Sequence, residues 1–596
     1  MGHTLRTWYA LLTLSSLGAV ISLYADIAGP GLLIIATYLL AKSAVGLIRK
    51  SFSVDLLMGA AALVTWYLGA YFEGYLIIML YSLSEVIEGL AEKRALRTLS
   101  SLRDLIPSSV TLVDNGAIRL VRPEEVRVGD VVLVRRGEAV VVDGVLLDDA
   151  GVFDTSLMTG EQEPIRVVGG QRVLSGYVNL GNPVRVRVIA GFGESALRML
   201  VVEAMRALER KSRVQRFLER IAPPYTVALL GGYVAAALFL GPYRALPIIL
   251  AGCPSAFIIT SAALTAMSIA RLARRGVVVR GGVVLEKTSR VGVVVLDKTG
   301  TVTTGKFRIA MVKPMSSFGS NEVLRFAGAA AKGSIHPVSV ALAPHSDLIP
   351  ESVREVVGMG VEAVVGGRLV RVGKKDFAGF DGVGCGDLTP VYVSVNREPA
   401  GVICLREEVG DGVKDLINQL RSMGTDVILA SGDKREKVTM ISKELGVREY
   451  YPSMSPQEKA ELVRRLRQVR GPVAVIGDGV NDAVALAEAD LGVAVGRLSL
   501  TASVADAVLV SGLNSFLDLV REASVYRRAL IAGFATATVI KAIALALGFM
   551  GAIPMAAVVA LGDDGSTLLS LALANTMMRV LNPYKSRDQR PLYHAS

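Results

Sequence analysis

Eight stretches of this chain, near residues 8–24, 29–47, 54–69, 71–91, 224–240, 244–268, 528–548 and 553–578, are apolar over about the length that a bilayer demands. A helix needs roughly 17–25 such residues to cross the hydrocarbon core. Inside that core each backbone N–H and C=O must be satisfied within the segment, so runs like these become helices. They fall in groups of four, two and two, and two long polar insertions separate the groups. Arg6, Lys42, Arg49, Lys50, the Glu92 to Arg103 stretch, Arg271 to Arg280, Arg527, Arg528 and Lys585 to Arg590 share one side if every run spans. The opposite connections, Ala25 to Gly31 and Gly69 to Gly74, are nearly free of Lys and Arg. The positive-inside bias then puts both termini and both insertions in the cytoplasm of a multi-pass cell-membrane protein.

With 596 residues and 52% hydrophobic content, the chain exceeds one domain and is too apolar for a purely soluble enzyme. Its net charge of +11 sits beside the apolar runs instead of forming one basic stripe, which argues against nucleic acid as a partner and for the lipid bilayer. Cys253, Cys385 and Cys404 are an odd, scattered set with no CxxC pair, so no disulfide framework is expected and nothing speaks for an oxidising compartment. The first run lacks a small-residue cleavage site and reads as a retained helix.

The first insertion, 104–200, holds short Val-rich alternating runs between Gly and Asp turns and predicts a small β domain. The second, 287–515, alternates short apolar strands (Val291 to Leu296, Val427 to Ala430, Val473 to Ile476) with helical stretches, the pattern of a parallel α/β sheet. A segment from 309 to 404 interrupts it like an inserted subdomain.

Asp297 follows the apolar strand Val291 to Leu296 and opens Asp297-Lys298-Thr299-Gly300-Thr301. Open α/β sheets put their active sites at the carboxyl ends of strands, and a carboxylate there can attack the terminal phosphate of ATP. Ser431-Gly432-Asp433 follows a second strand, Lys459 lies in Pro456-Gln-Glu-Lys, and Gly477-Asp478-Gly-Val-Asn481-Asp482 follows a third. Phosphoryl transfer needs a metal ion, a cation and a positioning donor around the equatorial oxygens. Asp297 and Asp478 supply carboxylates for Mg²⁺, Lys459 the cation, and Ser431 with Gly432 the positioner; one or two carboxylates suffice for Mg²⁺.

DKTGT, the run from Gly477 to Leu486, and Thr159-Gly160-Glu161 inside Asp154 to Pro164 together resemble the P-type ATPases, in the family's order over nearly the whole chain. The resemblance implies a multi-domain α-helical membrane protein with eight transmembrane helices. It also implies a small β actuator domain and a haloacid-dehalogenase-like phosphorylation domain with an inserted α+β nucleotide-binding domain. The boundaries expected are helices 1–4 over 1–103, actuator 104–200, helices 5–6 over 201–286, phosphorylation domain 287–308 and 405–515, nucleotide domain 309–404, and helices 7–8 with a tail over 516–596. It makes Asp297 the aspartyl-phosphate, aided by Thr299 and Asp433, and gives Glu161 the hydrolytic water. His336-Pro337, Gly358, Gly360 and Gly373 resemble the nucleotide site of the heavy-metal, class IB branch, with His336 facing adenosine. That branch has Glu and Asn where this chain has Ile335 and Lys374, which bears on nucleotide affinity.

Gly252-Cys253-Pro254-Ser255 interrupts the sixth run, and a proline there breaks the helix ladder and frees carbonyls beside the thiol. Read from these residues alone, it is a Pro kink with an inert cysteine; class IB resemblance instead makes Cys253 a ligand of the transported ion. Lys541 and Asp563 lie about 15–18 Å along the seventh and eighth runs, near mid-bilayer, where charges are costly and usually paired. A structural bridge between two helices is one reading. The pattern Gly562-Asp-Asp-Gly-Ser-Thr ending in Asn575 resembles the zinc, cadmium and lead exporters, in which the Asp ligates metal and the Lys is a built-in counter-ion. Ser255 stands where those exporters have a second Cys, and Asp564 is an added carboxylate; together they shift the site toward harder ions. Glu85 and Glu88 resemble the GExLE element, and Glu85 is a candidate receiver of the ion on its way out. Many pumps of this branch carry an amino-terminal CxxC metal-binding domain; no CxxC stands ahead of the first run here, so metal is expected to reach Cys253 without that domain.

The resulting expectation is ATP- and Mg²⁺-dependent export of a divalent metal, Zn²⁺ first and Cd²⁺ or Pb²⁺ next, by a protein that functions as a monomer. A Cu(I) pump is the alternative within the class, although a carboxylate suits a soft monovalent ion poorly. A membrane-anchored phosphatase of the haloacid-dehalogenase type is the alternative outside it.

Overall fold

The computed structural model describes residues 2–22, 28–48, 55–83, 85–86, 89, 107, 109–114, 117–155, 164–334, 336–356, 358–380, 384–478, 482–496 and 504–581. The chain forms two compact units, Met1–Ser289 with Asp518–Ser596, and Arg290–Leu517.

In the first unit each apolar run carries helix. Among the described residues, four segments are long and apolar enough to cross a membrane: Ala196–Leu240, Pro242–Ala273, Leu513–Phe549 and Met555–Val580. Thr7–Ser22, Gly29–Ala44, Asp55–Tyr67 and Tyr71–Leu83 are shorter apolar helices. Several runs differ from the simple expectation: the seventh belongs to a longer helix, Phe516–Phe549, and the eighth is interrupted by a π-helical turn at Ala560–Gly565. The 224–240 run is only the distal part of a helix over Arg213–Leu240, which starts at a reciprocal Ser212/Gln215 cap and carries Pro223 and Pro224 inside. The sixth run is no single helix: Pro242–Ala245, Pro247–Ala251 and Ser255–Ala273 are separate pieces, because Pro247 and Pro254 cannot donate to the ladder.

The β domain of this unit pairs Val110–Asp114, Val131–Val134 and Val184–Val188 in one antiparallel sheet. Val184-Arg-Val-Arg-Val alternates buried valine with exposed arginine, which fixes its register. The domain's Thr159-Gly160-Glu161 turn lies outside the described residues.

The second unit is built on parallel strands in the order Ala507–Leu509, Leu491–Val495, Val473–Gly477, Val293–Asp297, Asp426–Ala430, Glu449–Tyr451. Val293–Asp297 is central and buried along its whole length, as expected for a strand covered by helices on both faces. The chain leaves this sheet along Thr303–Pro314 and returns along Glu398–Val409. Between them lies an antiparallel sheet in the order Thr303–Pro314, Glu398–Val409, Thr389–Val395, Arg368–Gly373, Gly360–Val365, Ser352–Val356. Helix Ser320–Ala331 covers it with Val323 and Phe326 packed among Val391, Val393 and Ile403.

The cysteines correct the sequence reading. Cys385 and Cys404 form a disulfide across 19 residues, with Cα atoms 5.6 Å apart. Cys404 faces Pro390 across the strand pair, so the loop that carries Cys385 into the strand starting at Thr389 is folded back beside it. Spacing along the chain cannot reveal a pairing that the sheet register creates.

Candidate functional site

Asp297, the last residue of the central strand, is aligned with Ala430 of one parallel neighbour, while Leu296 is aligned with Ile476 of the other. Ser431 and Asp478 follow those neighbours at once, so three strand ends deliver three polar loops to one point. Helix Pro456–Arg470, opened by a Ser455/Glu458 capping box, presents Lys459 in its first turns. The Lys459 ammonium lies 2.5 Å from Asp297 Oδ1 and 2.7 Å from Asp482 Oδ1. Gly300 has φ +72°, and a Cβ there would lie 3.3 Å from Asp478 Oδ2, so the glycine lets the loop pass against that carboxylate.

Burial, followed by the charges of Asp482 and Asp478, pushes the Asp297 carboxyl up to about 6, against the pull of Lys459. Burial opposes the charged form of Lys459, yet Asp297 and Asp482 together raise it above the ordinary lysine value. This cluster of carboxylates carries more negative charge than one lysine cancels, which is the donor chemistry of a hard divalent cation. Among the described residues no group of three or more His, Cys, Asp or Glu side chains is arranged so that it alone could hold a metal ion. Mg²⁺ requires only one or two carboxylates, and Asp297 and Asp478 fit that need.

Three participants were not singled out from the sequence. Asp482 is buried at the start of helix Ala483–Glu488 and shares Lys459 with Asp297. Lys298, 1% exposed, is ion-paired with Glu407 and, at 2.7 Å, with Asp433. Burial would lower its ammonium, but hydrogen bonds to Asp433 and Glu407 raise it. Lys298 and Asp482 lie inside the quoted motifs, so a signal existed; Glu407 had none, since it lies about a hundred residues on. Thr299 is exposed at the loop's tip. Ser431 is buried and its hydroxyl oxygen accepts from the Asp433 N–H at 3.1 Å, fixing the Ser431-Gly432-Asp433 turn.

In the inserted sheet Gly360 and Gly373 are cross-strand partners, and a Cβ on either would strike backbone: Val372 O at 2.2 Å, Met359 O at 2.3 Å. Gly358, φ +74°, closes the same edge. His336 is the exposed N-cap of helix Pro337–Leu342, and its Nδ1 accepts from the Val338 N–H at 3.3 Å. Ile335 lies outside the described residues; Lys374 donates its N–H to Met359 O at 2.9 Å.

The apolar unit gathers its own polar cluster. Cys253, fully buried, lies in the break between Pro247–Ala251 and Ser255–Ala273. The Ser255 hydroxyl donates to Asp563 Oδ1 at 2.7 Å, and Lys541 Nζ is 3.8 Å from the same oxygen. Lys541 also donates to Gly562 O at 2.7 Å and Ala251 O at 3.4 Å, so it ties three helical pieces together. Asp563 lies in a π-helical turn, Ala560–Gly565, whose carbonyls are taken by Ser566 and Thr567. Asp564 is half-buried beside it. Near Glu85, Asp55 is paired with Lys42 at 2.9 Å and accepts from the Tyr81 hydroxyl at 2.9 Å.

Residues 291–490 match the haloacid dehalogenase-like hydrolase family and residues 104–205 the P-type ATPase actuator domain. A zinc/cadmium/lead-transporting P-type ATPase of Shigella sonnei is 32% identical over 92% of this chain and 78% of its own length. A cadmium, zinc and cobalt-transporting ATPase of Bacillus subtilis is 31% identical over 92% and 82%. The crystal structure of a zinc-transporting PIB-type ATPase in the E2.Pi state superposes with a TM-score of 0.61 at 27% identity, covering 96% of this chain and 99% of the other. With the Asp297–Lys459–Asp482 cluster assembled as above and relatives spanning almost its full length, the chain belongs to the P-type ATPases.

Proposed function

We propose that this ATPase exports a divalent transition metal across the cell membrane, Zn²⁺ foremost, with Cd²⁺ and Pb²⁺ as further substrates, its termini and catalytic domains being cytoplasmic. The observation that carries the substrate class is the Ser255–Asp563–Lys541 cluster beside buried Cys253. One thiol, one hydroxyl and one carboxylate make a mixed hard and soft donor set that suits Zn²⁺ better than Cu(I). The domain limits drawn from the sequence carry over into this reading, with a monomer as the working unit and lipid, ATP and metal as its partners.

In the phosphorylation step an Asp297 oxygen attacks the γ-phosphorus of ATP, the bond to the β–γ bridging oxygen breaks, and ADP leaves with that electron pair. Lys459 faces the attacking carboxylate and offsets charge on the transferring group, while Ser431 and Gly432 position its oxygens. Asp297, Asp478 and the Thr299 loop would hold Mg²⁺, which supplies neutralisation of the phosphate oxygens when bound. Asp433 keeps its loop in place through Lys298. His336, Gly358, Gly360 and Gly373 are assigned to the nucleotide. Glu161 then orients a water for attack on the phosphoaspartate and takes its proton, regenerating Asp297 and releasing phosphate. In the membrane Cys253, Ser255 and Asp563 bind the metal, Lys541 replaces it on Asp563 when it departs, and Glu85 receives it on the way out.

ATP hydrolysis by the purified protein in lipid and detergent, across Zn²⁺, Cd²⁺, Pb²⁺, Co²⁺ and Cu⁺, tests this with Asp297→Asn as the blank. Zn²⁺ stimulation lost in the blank and in Asp563→Ala is expected. Stimulation by Cu⁺ alone would overturn the substrate, and metal-independent hydrolysis would favour an anchored phosphatase.

A further inference from the structure

Lys298 follows the phosphorylated aspartate directly, yet its side chain turns away from the Asp297–Lys459–Asp482 cluster. Its ammonium is buried between Glu407 and Asp433. The Glu407 carboxylate also accepts from the Thr303 hydroxyl at 2.7 Å, and that hydroxyl lies 3.1 Å from the Lys298 carbonyl. Glu407 belongs to the strand that returns from the inserted sheet, and Thr303 begins the strand that leads into it. These are the two covalent links between the sheet that carries Asp297 and the sheet assigned to the nucleotide.

The same place is where the strand pair is irregular. Thr303 faces Val409, but the next pair is Phe307 with Glu407, so the leading strand holds an extra stretch at its base. Gly305 within it has φ +70° and open space where a Cβ would stand. A bulge with a left-handed glycine is a point where two strands can change direction together, and the buried ion pair spans it.

We propose that Lys298 is a positioning residue that ties the phosphorylation loop to this strand pair, so that the pose of the inserted sheet over Asp297 depends on the Lys298–Glu407 contact. The inference rests on the reading that the inserted sheet delivers ATP. It follows that the contact matters when phosphate comes from a nucleotide held by that sheet, and does not matter when inorganic phosphate reaches Asp297 by itself. Replacing Glu407 by the near-isosteric Gln removes the charge and keeps the side chain's shape: its oxygen can still accept from Lys298, its amide N–H can donate to the Thr303 hydroxyl, whose own proton then goes to the Lys298 carbonyl, and Asp433 still neutralises Lys298.

Acid-stable phosphoenzyme is measured in the full chain in lipid, from labelled ATP and, separately, from labelled inorganic phosphate with Mg²⁺. Glu407→Gln is expected to raise the half-saturating ATP concentration about tenfold and to leave the half-saturating phosphate concentration within about twofold; a tenfold change corresponds to about 1.4 kcal/mol. Lys298→Arg, which retains charge, is expected to fall between the unsubstituted chain and Glu407→Gln with ATP. Equal losses with both donors would overturn the proposal, since a mere prop for the Asp297 loop serves both equally. An unchanged ATP response in Glu407→Gln would overturn it as well. Failure of the unsubstituted chain to form any phosphoenzyme dependent on Asp297 would sink the pump reading itself, and this inference with it.

Discussion

Lys541→Met removes the ammonium beside Asp563 and keeps most of the side chain's volume. At the 3.8 Å separation from Asp563 Oδ1, the pair's Coulomb energy is on the order of 4 kcal/mol at an effective dielectric of about 20. A metal arriving at Asp563 must displace that interaction. Lys541 keeps its bonds to Gly562 O and Ala251 O, so not all of the energy is lost when metal binds. Taking about half leaves roughly 2 kcal/mol, which is about thirtyfold in affinity. The variant should therefore bind Zn²⁺ about thirtyfold more tightly, while turnover falls because nothing replaces the metal on Asp563 when it must leave. The assay is the Zn²⁺ concentration dependence of ATP hydrolysis, with phosphorylation from inorganic phosphate as the check that the protein is folded. Lower Zn²⁺ affinity with normal turnover would refute the reasoning and leave Lys541 as a tie between helices.

Further outcomes follow from the same contacts. Because protonated Asp297 cannot bind a cation, the Mg²⁺ needed for half-maximal phosphorylation should be flat above about pH 6 and rise about tenfold per unit below it. Without Mg²⁺ the sign reverses for stability: the raised folded pKa means that the protonated carboxyl favours folding, and that contribution disappears as pH rises from about 4 to about 6, a trend that urea titration of the metal-free protein reads. Cys404→Ser opens a loop of 19 residues and should cost the inserted domain about 3 kcal/mol, measured by hydrogen exchange against the oxidised protein. Ser255→Cys puts a thiol where the hydroxyl touches Asp563 and should shift stimulation from Zn²⁺ toward Cd²⁺; an unchanged ratio would show that position 255 does not reach the ion.

The sequence by itself determined that the apolar runs carry helix, because an apolar segment must satisfy its backbone groups within itself, and it determined the strand ends that carry Asp297, Ser431 and Asp478, because a buried parallel strand must be apolar until it reaches the edge. Local chemistry of this kind is written in consecutive residues. The tertiary structure alone decided which distant groups meet. Lys459 bridges Asp297 and Asp482 because one helix crosses the ends of two strands. Glu407 reaches Lys298 because an inserted sheet brings its return strand back past its own departure, and Cys385 reaches Cys404 because a loop folds over the same sheet. Ser255 and Asp563, some three hundred residues apart, share a hydrogen bond only because small residues let their helices approach: a Cβ on Gly562 would come within 2.7 Å of Ala251. Such pairings depend on register and packing, which no spacing along the chain encodes.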